Sequence, residues 1–301
     1  MAPVTEDITR DICLIISDIV CIALVALPCI ILEAVGKPFE RGFYCNDESI
    51  MYPYHDSTIS ISVLVVVGTG LNIIAMIIGE CVTQKTNRHY YCLMGKQKKK
   101  VPALIGRLYS KIGIYMFGAM STYLLTDVAK YSVGRLRPHF MDVCRPDKST
   151  YNCSQGYVTS FICTNSDTFL IKQSRLSFVS GHSSFATFSM LFLAIYVHVT
   201  LPSKLGSMPK ALLELIAISL GIYTCFTRIS DYKHHWSDVL AGGSLGIIVC
   251  LIVIYKLSDF FTPENRENYE LTTYKIPDAR SISQASSSSG CETAVTLDNH
   301  R

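Results

Sequence analysis

Six long apolar runs stand out in the pattern of hydrophobic and polar positions along the chain. Each comes near the roughly 20 apolar residues that a helix needs to cross the hydrocarbon core of a bilayer. The helices of a soluble domain would interleave more polar faces than these runs do. The pattern therefore predicts six transmembrane helices, over residues 12–32, 59–78, 108–125, 185–201, 211–227 and 239–257.

The composition supports a membrane protein. Hydrophobic residues make up 49% and charged residues 17% of the chain, and the mean hydropathy is +0.30, whereas a typical soluble domain is about 25% charged. The formal net charge of +3 is too small to indicate nucleic-acid binding. We expect an all-α polytopic membrane protein with a six-span domain over residues 12–257. A cytosolic tail over 1–11 precedes it, and a polar, disordered cytosolic tail over 258–301 follows it.

The loops predict which side of the membrane each chain end faces. Residues 81–111 contain many Lys and Arg residues, including Lys98–Lys100, and no Asp or Glu. Short basic loops of this kind stay in the cytosol. With six spans, the N- and C-termini then lie in the cytosol as well. The non-cytosolic side would carry residues 33–58, 126–184 and 228–238.

Features of an oxidising, glycosylating compartment fall on that non-cytosolic side. Asn152 begins an Asn-Cys-Ser triplet, which is an N-glycosylation acceptor. Four of the 12 cysteines, Cys45, Cys144, Cys153 and Cys163, lie on the same side. They predict one or two disulfides, and the sequence leaves all three pairings open.

The first of three polar clusters follows the third apolar run. Lys130 and Arg137 are seven positions apart, or two helical turns, so they can share one face of a helix. Pro138 would end that helix. The planar fork of Arg suits phosphate oxygens, and Lys supplies a point charge. Taken alone, this cluster is more typical of cations that snorkel at a membrane edge.

The second cluster directly precedes the fourth run and contains Ser180, Gly181 and His182. Ser and Gly before a helix leave backbone N–H groups free at its positive end, where they can hold an anion. His182 could donate or accept a proton near neutral pH. An ordinary capping turn explains the same residues equally well.

The third cluster lies between the fifth and sixth runs and contains Arg228, His234 and Asp238. A carboxylate four residues after a histidine could fix the imidazole tautomer and stabilise its cation. Asp231 and His235 have the same spacing, so spacing alone does not say which histidine reacts. The competing interpretation is an ordinary polar loop.

Together the three clusters are more specific than any one of them. They would bring three cations, two histidines, a carboxylate and an anion-holding turn to one membrane face. The sequence contains no carboxylate cluster suited to Mg²⁺ and no Walker-type loop. We therefore predict phosphoryl transfer through a phosphohistidine, without a metal or other cofactor.

The three clusters resemble the signature of the type 2 phosphatidate phosphatase superfamily. Its pattern is Lys-x6-Arg-Pro, Pro-Ser-Gly-His and Ser-Arg-x5-His-x3-Asp. Here Val179 replaces the Pro of the second block and Thr227 replaces the Ser of the third, and neither change removes a charged or titrating group. Residues 41–50 and 232–238 further resemble the animal lipid phosphate phosphatases. The resemblance runs from about the first span to the sixth.

The resemblance implies a role for each matching residue in a helical catalytic core. His234 would be the nucleophile, Asp238 would orient it, and His182 would act as general acid and then as general base. Cations and the capping turn would bind the phosphoryl group, through Lys130, Arg137, Arg228, Ser180 and Gly181.

The resemblance also implies the substrates and the setting. The implied substrates are lipid phosphates within the bilayer, such as phosphatidate, lysophosphatidate, sphingosine-1-phosphate and ceramide-1-phosphate. The protein would be glycosylated at Asn152 and lie in the plasma membrane, and the sequence does not separate this from an internal membrane.

Three alternatives stay open at this point. A lipid phosphotransferase would use the same histidine pair, and a catalytically silent membrane protein would serve as a transporter or signalling scaffold. Silent relatives should lack catalytic groups, yet all six charged or titrating positions are present here. The pattern also resembles soluble vanadate-dependent haloperoxidases, against which the six spans argue. Gly242, Gly243 and Gly246 could pack within the chain or in a homo-oligomer.

Overall fold

The computed structural model describes residues 3–86, 103–201 and 206–258, and over these residues the protein is almost entirely helical. Two short strands, β1 (Phe43–Tyr44) and β2 (Tyr157–Val158), pair antiparallel. The predominance of helices confirms the all-α prediction. The α-helices are α1 (Pro3–Val35), α2 (Ile61–Thr86), α3 (Ala103–Val133), α4 (Phe140–Cys144), α5 (Thr168–Ser174), α6 (Gly181–Thr200), α7 (Ser207–Ser230) and α8 (Trp236–Leu257).

Six of these helices are long and apolar enough to cross a membrane, which confirms the six predicted spans. The helix α1 begins at Pro3, so most of the predicted N-terminal tail continues the first helix. Residues 259–301 of the predicted C-terminal tail and the basic run Lys98–Lys100 lie outside the described residues. The spans cover Ile15–Val35, Ile61–Val82, Arg107–Val133, Gly181–Thr200, Ser207–Ser230 and Trp236–Leu257.

The third span extends beyond the apolar run that predicts it. Thr126 and Asp127 interrupt the hydrophobic pattern, but both are buried, so the helix continues past them to Val133. It ends at Gly134, which has a φ of 56° and whose N–H donates to the Lys130 carbonyl. A side chain at Gly134 would collide with the backbone of Phe39, so only glycine suits this stop.

Two predictions about this region are therefore wrong. The helix stops before Pro138, so the proline does not end it. Arg137 lies beyond the helix, and it does not share a helical face with Lys130.

The helix α6 lies at the centre of the bundle and packs against α2, α3, α7 and α8. Large side chains of this helix fill the core of the bundle, including those of the fully buried Phe188 and Phe192. Gly242 and Gly246 of α8 lie directly against the backbone of α6, where a Cβ atom would clash. These two glycines of the sixth span thus serve helix packing within the chain.

The functional residues lie at one end of the bundle, which we call the loop end. It contains the connections 36–60, 134–180 and 231–235. A small apolar cluster that includes Phe43, Ile50 and Phe140 packs the first two of these connections together. Two disulfides fix them further: Cys45–Cys153 links the first connection to the second, and Cys144–Cys163 closes a loop within the second.

The disulfide arrangement predicts which thiol each cysteine variant frees. Cys45→Ser should leave Cys153 as the reactive thiol and keep Cys144–Cys163 intact. A structural disulfide contributes about 2–4 kcal/mol to the free energy of unfolding, so the variant should also unfold at a lower temperature. Thiol labelling with peptide mass spectrometry of the non-reduced protein checks the pairing. A peptide that links Cys45 to Cys144 or Cys163 would contradict this arrangement.

Candidate active site

The three clusters predicted from the sequence meet at the loop end. His234 is buried, and burial lowers the pKa of its imidazole well below the usual range. The charges of Arg137, Lys130 and His182 lower the pKa of His234 further. Residues from the last turn of α3, from the segment after it and from the first turn of α6 thus lie close to this histidine. At neutral pH its imidazole is uncharged.

Lys130 reaches the cluster from the last turn of α3. Its Nζ lies 3.5 Å from the Oδ1 of Asp127, one turn earlier on the same helix. It also lies 3.1 Å from the position that a Cβ atom of Gly181 would occupy. The absence of a side chain at residue 181 therefore lets the ammonium group approach the first turn of α6.

Arg137 stands on the extended segment between α3 and α4. Its backbone N–H donates to the Ser174 carbonyl at 2.8 Å, and its Nη2 donates to the Leu176 carbonyl at 3.4 Å. Burial, together with the neighbouring Arg228, lowers the pKa of its guanidinium to about 10. The buried Nε has no hydrogen-bond partner among the described residues. An anion in the cluster would provide that partner.

The first turn of α6 supplies further N–H groups. Ser180 is the N-cap, and its Oγ accepts from the N–H and the hydroxyl of Ser183. The N–H groups of Gly181 and His182 have no acceptor within the described part of the chain. The same turn thus caps α6 and leaves N–H groups that can hold an anion, so both interpretations of the sequence describe it.

His182 is fixed through one ring nitrogen. Its Nε2 lies 3.1 Å from the carbonyl oxygen of Ile59, which can only accept, so Nε2 carries the proton in this contact. Nδ1 is then the nitrogen that can exchange a proton with a bound group.

Arg228 is 1% exposed at the end of α7. Its Nη2 donates to Asp231 at 2.9 Å and to the Oγ1 of Thr227 at 3.1 Å. Asp231 also accepts from the N–H and the hydroxyl of Thr58. The carbonyl of Arg228 accepts from the N–H groups of Lys233 and His234. Arg228 therefore ties the α7–α8 turn together and connects it to the first connection.

The tautomer of His234 follows from its own contact. Its Nδ1 lies 2.7 Å from the carbonyl oxygen of Ser177, which can only accept a hydrogen bond. Nδ1 therefore carries the proton, and Nε2 keeps its lone pair. A neutral imidazole with a free Nε2 can attack an electrophile.

Asp238 does not contact His234 directly, contrary to the role expected of it. Its carboxylate accepts from the Ser177 hydroxyl at 2.6 Å, from Arg135 at 2.6 Å, and from the N–H and Nδ1 of His235, each at 3.1 Å. Among the described residues, the hydrogen bond to the His234 imidazole comes from Ser177, whose carbonyl accepts from Nδ1 while its hydroxyl donates to Asp238. Ser177 therefore joins the carboxylate to the histidine.

Sequence reasoning missed Ser177, Arg135 and Lys233 as members of this cluster. Each lies within or beside the three blocks, at positions that the family pattern leaves unspecified. Lys233 is buried, and its Nζ lies 3.7 Å from the ring centre of Tyr54. Burial and the nearby Arg137 lower the pKa of Lys233 to about 8. In the described part of the chain, no group of three or more His, Cys, Asp or Glu side chains is placed to hold a metal ion.

Comparison with known proteins assigns the chain to a family. The model of the PAP2 superfamily matches residues 111–261, which include all three clusters. Phospholipid phosphatase 1 of Rattus norvegicus is 40% identical over 258 residues, covering 85% of this chain and 89% of the relative. Phospholipid phosphatase 2 of Mus musculus is 40% identical over 247 residues, covering 82% and 87%. No solved structure matches the chain. The chain therefore belongs to the PAP2 superfamily, as its motifs predicted, and is a phosphatase of that superfamily.

Proposed function

We propose that the protein hydrolyses the phosphate monoester of lipid phosphates through a phosphohistidine on His234, at the non-cytosolic surface of the membrane. One observation carries this proposal: a buried, neutral imidazole presents an unprotonated Nε2 beside Lys130, Arg137 and His182. Cations around a neutral nucleophile suit attack on a phosphate dianion, because they reduce the charge that the nucleophile must approach.

The reaction has two balanced steps. In the first, His182 carries a second proton on Nδ1, which it takes up when the phosphate dianion binds. The Nε2 lone pair of His234 forms a bond to phosphorus, the bond between phosphorus and the lipid oxygen breaks, and the Nδ1 proton of His182 passes to the leaving oxygen. In the second, His182 takes a proton from water, the water oxygen attacks phosphorus, and the P–N bond breaks. Inorganic phosphate leaves, and both histidines return to their starting states.

The surrounding groups stabilise the charge that these steps create. Lys130, Arg137 and Arg228 would neutralise the phosphoryl oxygens, while the free N–H groups of Gly181 and His182 donate to them. Phosphorylation at Nε2 gives the His234 ring a positive charge. The Ser177 carbonyl then accepts from Nδ1–H, and Asp238 supports that arrangement through the Ser177 hydroxyl.

The substrates and the orientation belong to the proposal as well. Two relatives bear the name phospholipid phosphatase, and the cluster lies at the ends of α3, α6, α7 and α8, where a head group could enter while its chains stay in the bilayer. We expect phosphatidate, lysophosphatidate, sphingosine-1-phosphate and ceramide-1-phosphate to be hydrolysed. The exposed Asn152 and the two disulfides lie at the same loop end, and this supports a non-cytosolic site and cytosolic termini. A place in the plasma membrane is part of the same proposal.

Replacing the nucleophile should abolish turnover. His234→Ala should lower kcat for phosphatidate by at least about 10³-fold, because no other group can form the covalent intermediate. A wild-type protein that is quenched in alkaline detergent during turnover of ³²P-labelled substrate should carry an alkali-stable phosphate that later acid treatment releases, and the variant should not. His198→Ala, on the exposed part of α6, is the control and should retain activity.

Three results would contradict this scheme. They are full activity of His234→Ala, labelling of His235 in its place, or complete loss of wild-type activity in EDTA. Release of a phosphorylated acceptor alcohol in place of inorganic phosphate would favour the phosphotransferase.

The contact through Ser177 predicts non-additive effects. Ser177→Ala keeps the carbonyl that accepts from His234 but removes the hydroxyl that donates to Asp238. We expect kcat to fall about 10-fold to 10²-fold with little change in KM, as for a positioning residue. Adding Asp238→Asn should cost little more, because both changes break one connection. Ser174→Ala removes another buried hydroxyl of the same connection and is the matched control. Additive losses would argue that Asp238 acts independently of Ser177.

The dependence of KM on pH should reflect the protonation state of Lys233. This ammonium is charged below its pKa of about 8 and neutral above it, so KM for a phosphate dianion should rise as the pH passes 8. Lys233→Arg keeps the charge and should move this rise to higher pH, whereas Lys233→Met should show a raised KM already at pH 7 and no further rise. Because the pKa of His234 lies well below its usual range, its protonation should not limit the rate between pH 6 and 8. Identical pH profiles of KM for the wild type and Lys233→Arg would show that the rise in KM does not come from Lys233.

A further inference from the structure

An apolar cleft lies below the candidate active site, toward the middle of the span. The helices α2 and α7 both pack on α6 but make few or no contacts with each other within the described residues. The space between them has α6 as its floor and forms a cavity of about 170 Å³. It is open on one side, so it faces the apolar surroundings of the bundle.

The walls of this cleft suit a hydrocarbon guest. Val67 of α2 is 49% exposed and Leu220 of α7 is 44% exposed, and both line the cleft. Three residues with hydroxyl groups line it as well. The Thr224 Oγ1 donates to the Leu220 carbonyl, Ser189 accepts from the Asn72 amide, and Tyr223 is 56% exposed. The surface that the cleft presents is almost entirely apolar, so an apolar ligand would cover few polar groups on entering it.

The cleft is continuous with the phosphate cluster. Ala186 lines the cleft one helical turn beyond His182 on α6, and Thr224 lines it one turn before Arg228 on α7. Ile59 also lines the cleft, and its carbonyl accepts from His182. A molecule with its phosphate among the cations would thus have the rest of its length pointing between α2 and α7.

We infer that this cleft binds the hydrocarbon chain of the lipid phosphate, which enters sideways from the bilayer between α2 and α7. The inference rests on the proposed function and adds the binding site for the chain. On α2 the lining extends from Val63 to Leu71, a length of about 12 Å at the helical rise. A chain tethered to the phosphate cluster can therefore lie in the cleft over several methylene groups.

Narrowing the cleft from its open walls tests the inference. Val67→Trp and Leu220→Trp add bulk on opposite sides, at exposed positions where the fold should tolerate it. Val66→Trp and Ile222→Trp are the matched controls, because these residues are 70% and 47% exposed on the same helices but do not line the cleft. Each variant is assayed with a series of monomeric alkyl phosphates of increasing chain length and with phenyl phosphate, which is too short to reach the cleft.

The expected result is a change in chain-length dependence. For the wild type, kcat/KM should rise about three- to fourfold per methylene until the chain fills the cleft, and then level off. Val67→Trp and Leu220→Trp should level off at shorter chains and lose at least about 10-fold with the longest chain, while phenyl phosphate turnover stays within about twofold. The two controls should follow the wild-type curve.

The outcomes separate this inference from the proposed function. Failure of the wild type to hydrolyse any phosphate monoester would refute the proposed function. Normal wild-type turnover with the same chain-length curve in all four variants would refute the cleft as the binding site for the substrate chain and leave the proposed function standing. The occupant of the cleft would then be a bilayer lipid that is not a substrate.

A direct label covers the case in which the tryptophan variants lose phenyl phosphate turnover through misfolding. A non-hydrolysable alkyl phosphonate with a diazirine near the end of its chain should crosslink the wild type at the cleft, on peptides that contain Leu71 or Met190. Inorganic phosphate should compete with the labelling, because the head group anchors the chain. Labelling confined to α1 or to the outer face of α3, or labelling that phosphate does not reduce, would overturn the inference.

Discussion

The loop end depends on one electrostatic constraint: three cations must lie close together out of water. Removing a single ion from water costs several kcal/mol in a protein interior, and like charges add their repulsion. Asp127 and Asp231 lie beside Lys130 and Arg228 and offset part of this cost. Arg137 keeps a buried Nε without a partner in the described part of the chain. An anion with several oxygen atoms would offset the remaining charge, and a phosphoryl group is such an anion.

Such a cluster stays in place because backbone contacts between distant segments fix it. The N–H of Ser180 donates to the Asp238 carbonyl, and the N–H of Arg137 donates to the Ser174 carbonyl. Thr58 holds Asp231 from the first connection. These contacts fix groups before a substrate arrives, so little reorganisation opposes charge development in the transition state. The disulfides and the apolar cluster around Phe43 restrict the same connections from the outer side.

The sequence predicts the spans well because a helix that crosses a bilayer needs a minimum number of consecutive apolar residues, and such runs can be read directly from the sequence. It fails at the end of α3, since Thr126 and Asp127 point into the bundle, where polar residues are buried without ending the helix. It also fails for the contact between His234 and Asp238. Their spacing of four implies contact only on a helix, but α8 begins at Trp236, so His234 precedes it. Ser177 fills the gap from a distant segment, and no local spacing could have revealed that. The disulfide pairing depends on tertiary structure in the same way.

The two binding elements of the proposed site would differ in how they discriminate between substrates. The cations and the first turn of α6 require charge and oxygen atoms at fixed positions, so they distinguish a phosphate monoester dianion from a diester with less charge. An apolar cleft does not require groups at fixed positions, and one methylene more or less in such a cleft changes binding by only about 0.8 kcal/mol. Because α6 and α7 carry residues of both elements, the phosphate cluster and the apolar cleft are one helical turn apart. This arrangement favours an enzyme that is selective for the phosphate and tolerant of the lipid attached to it.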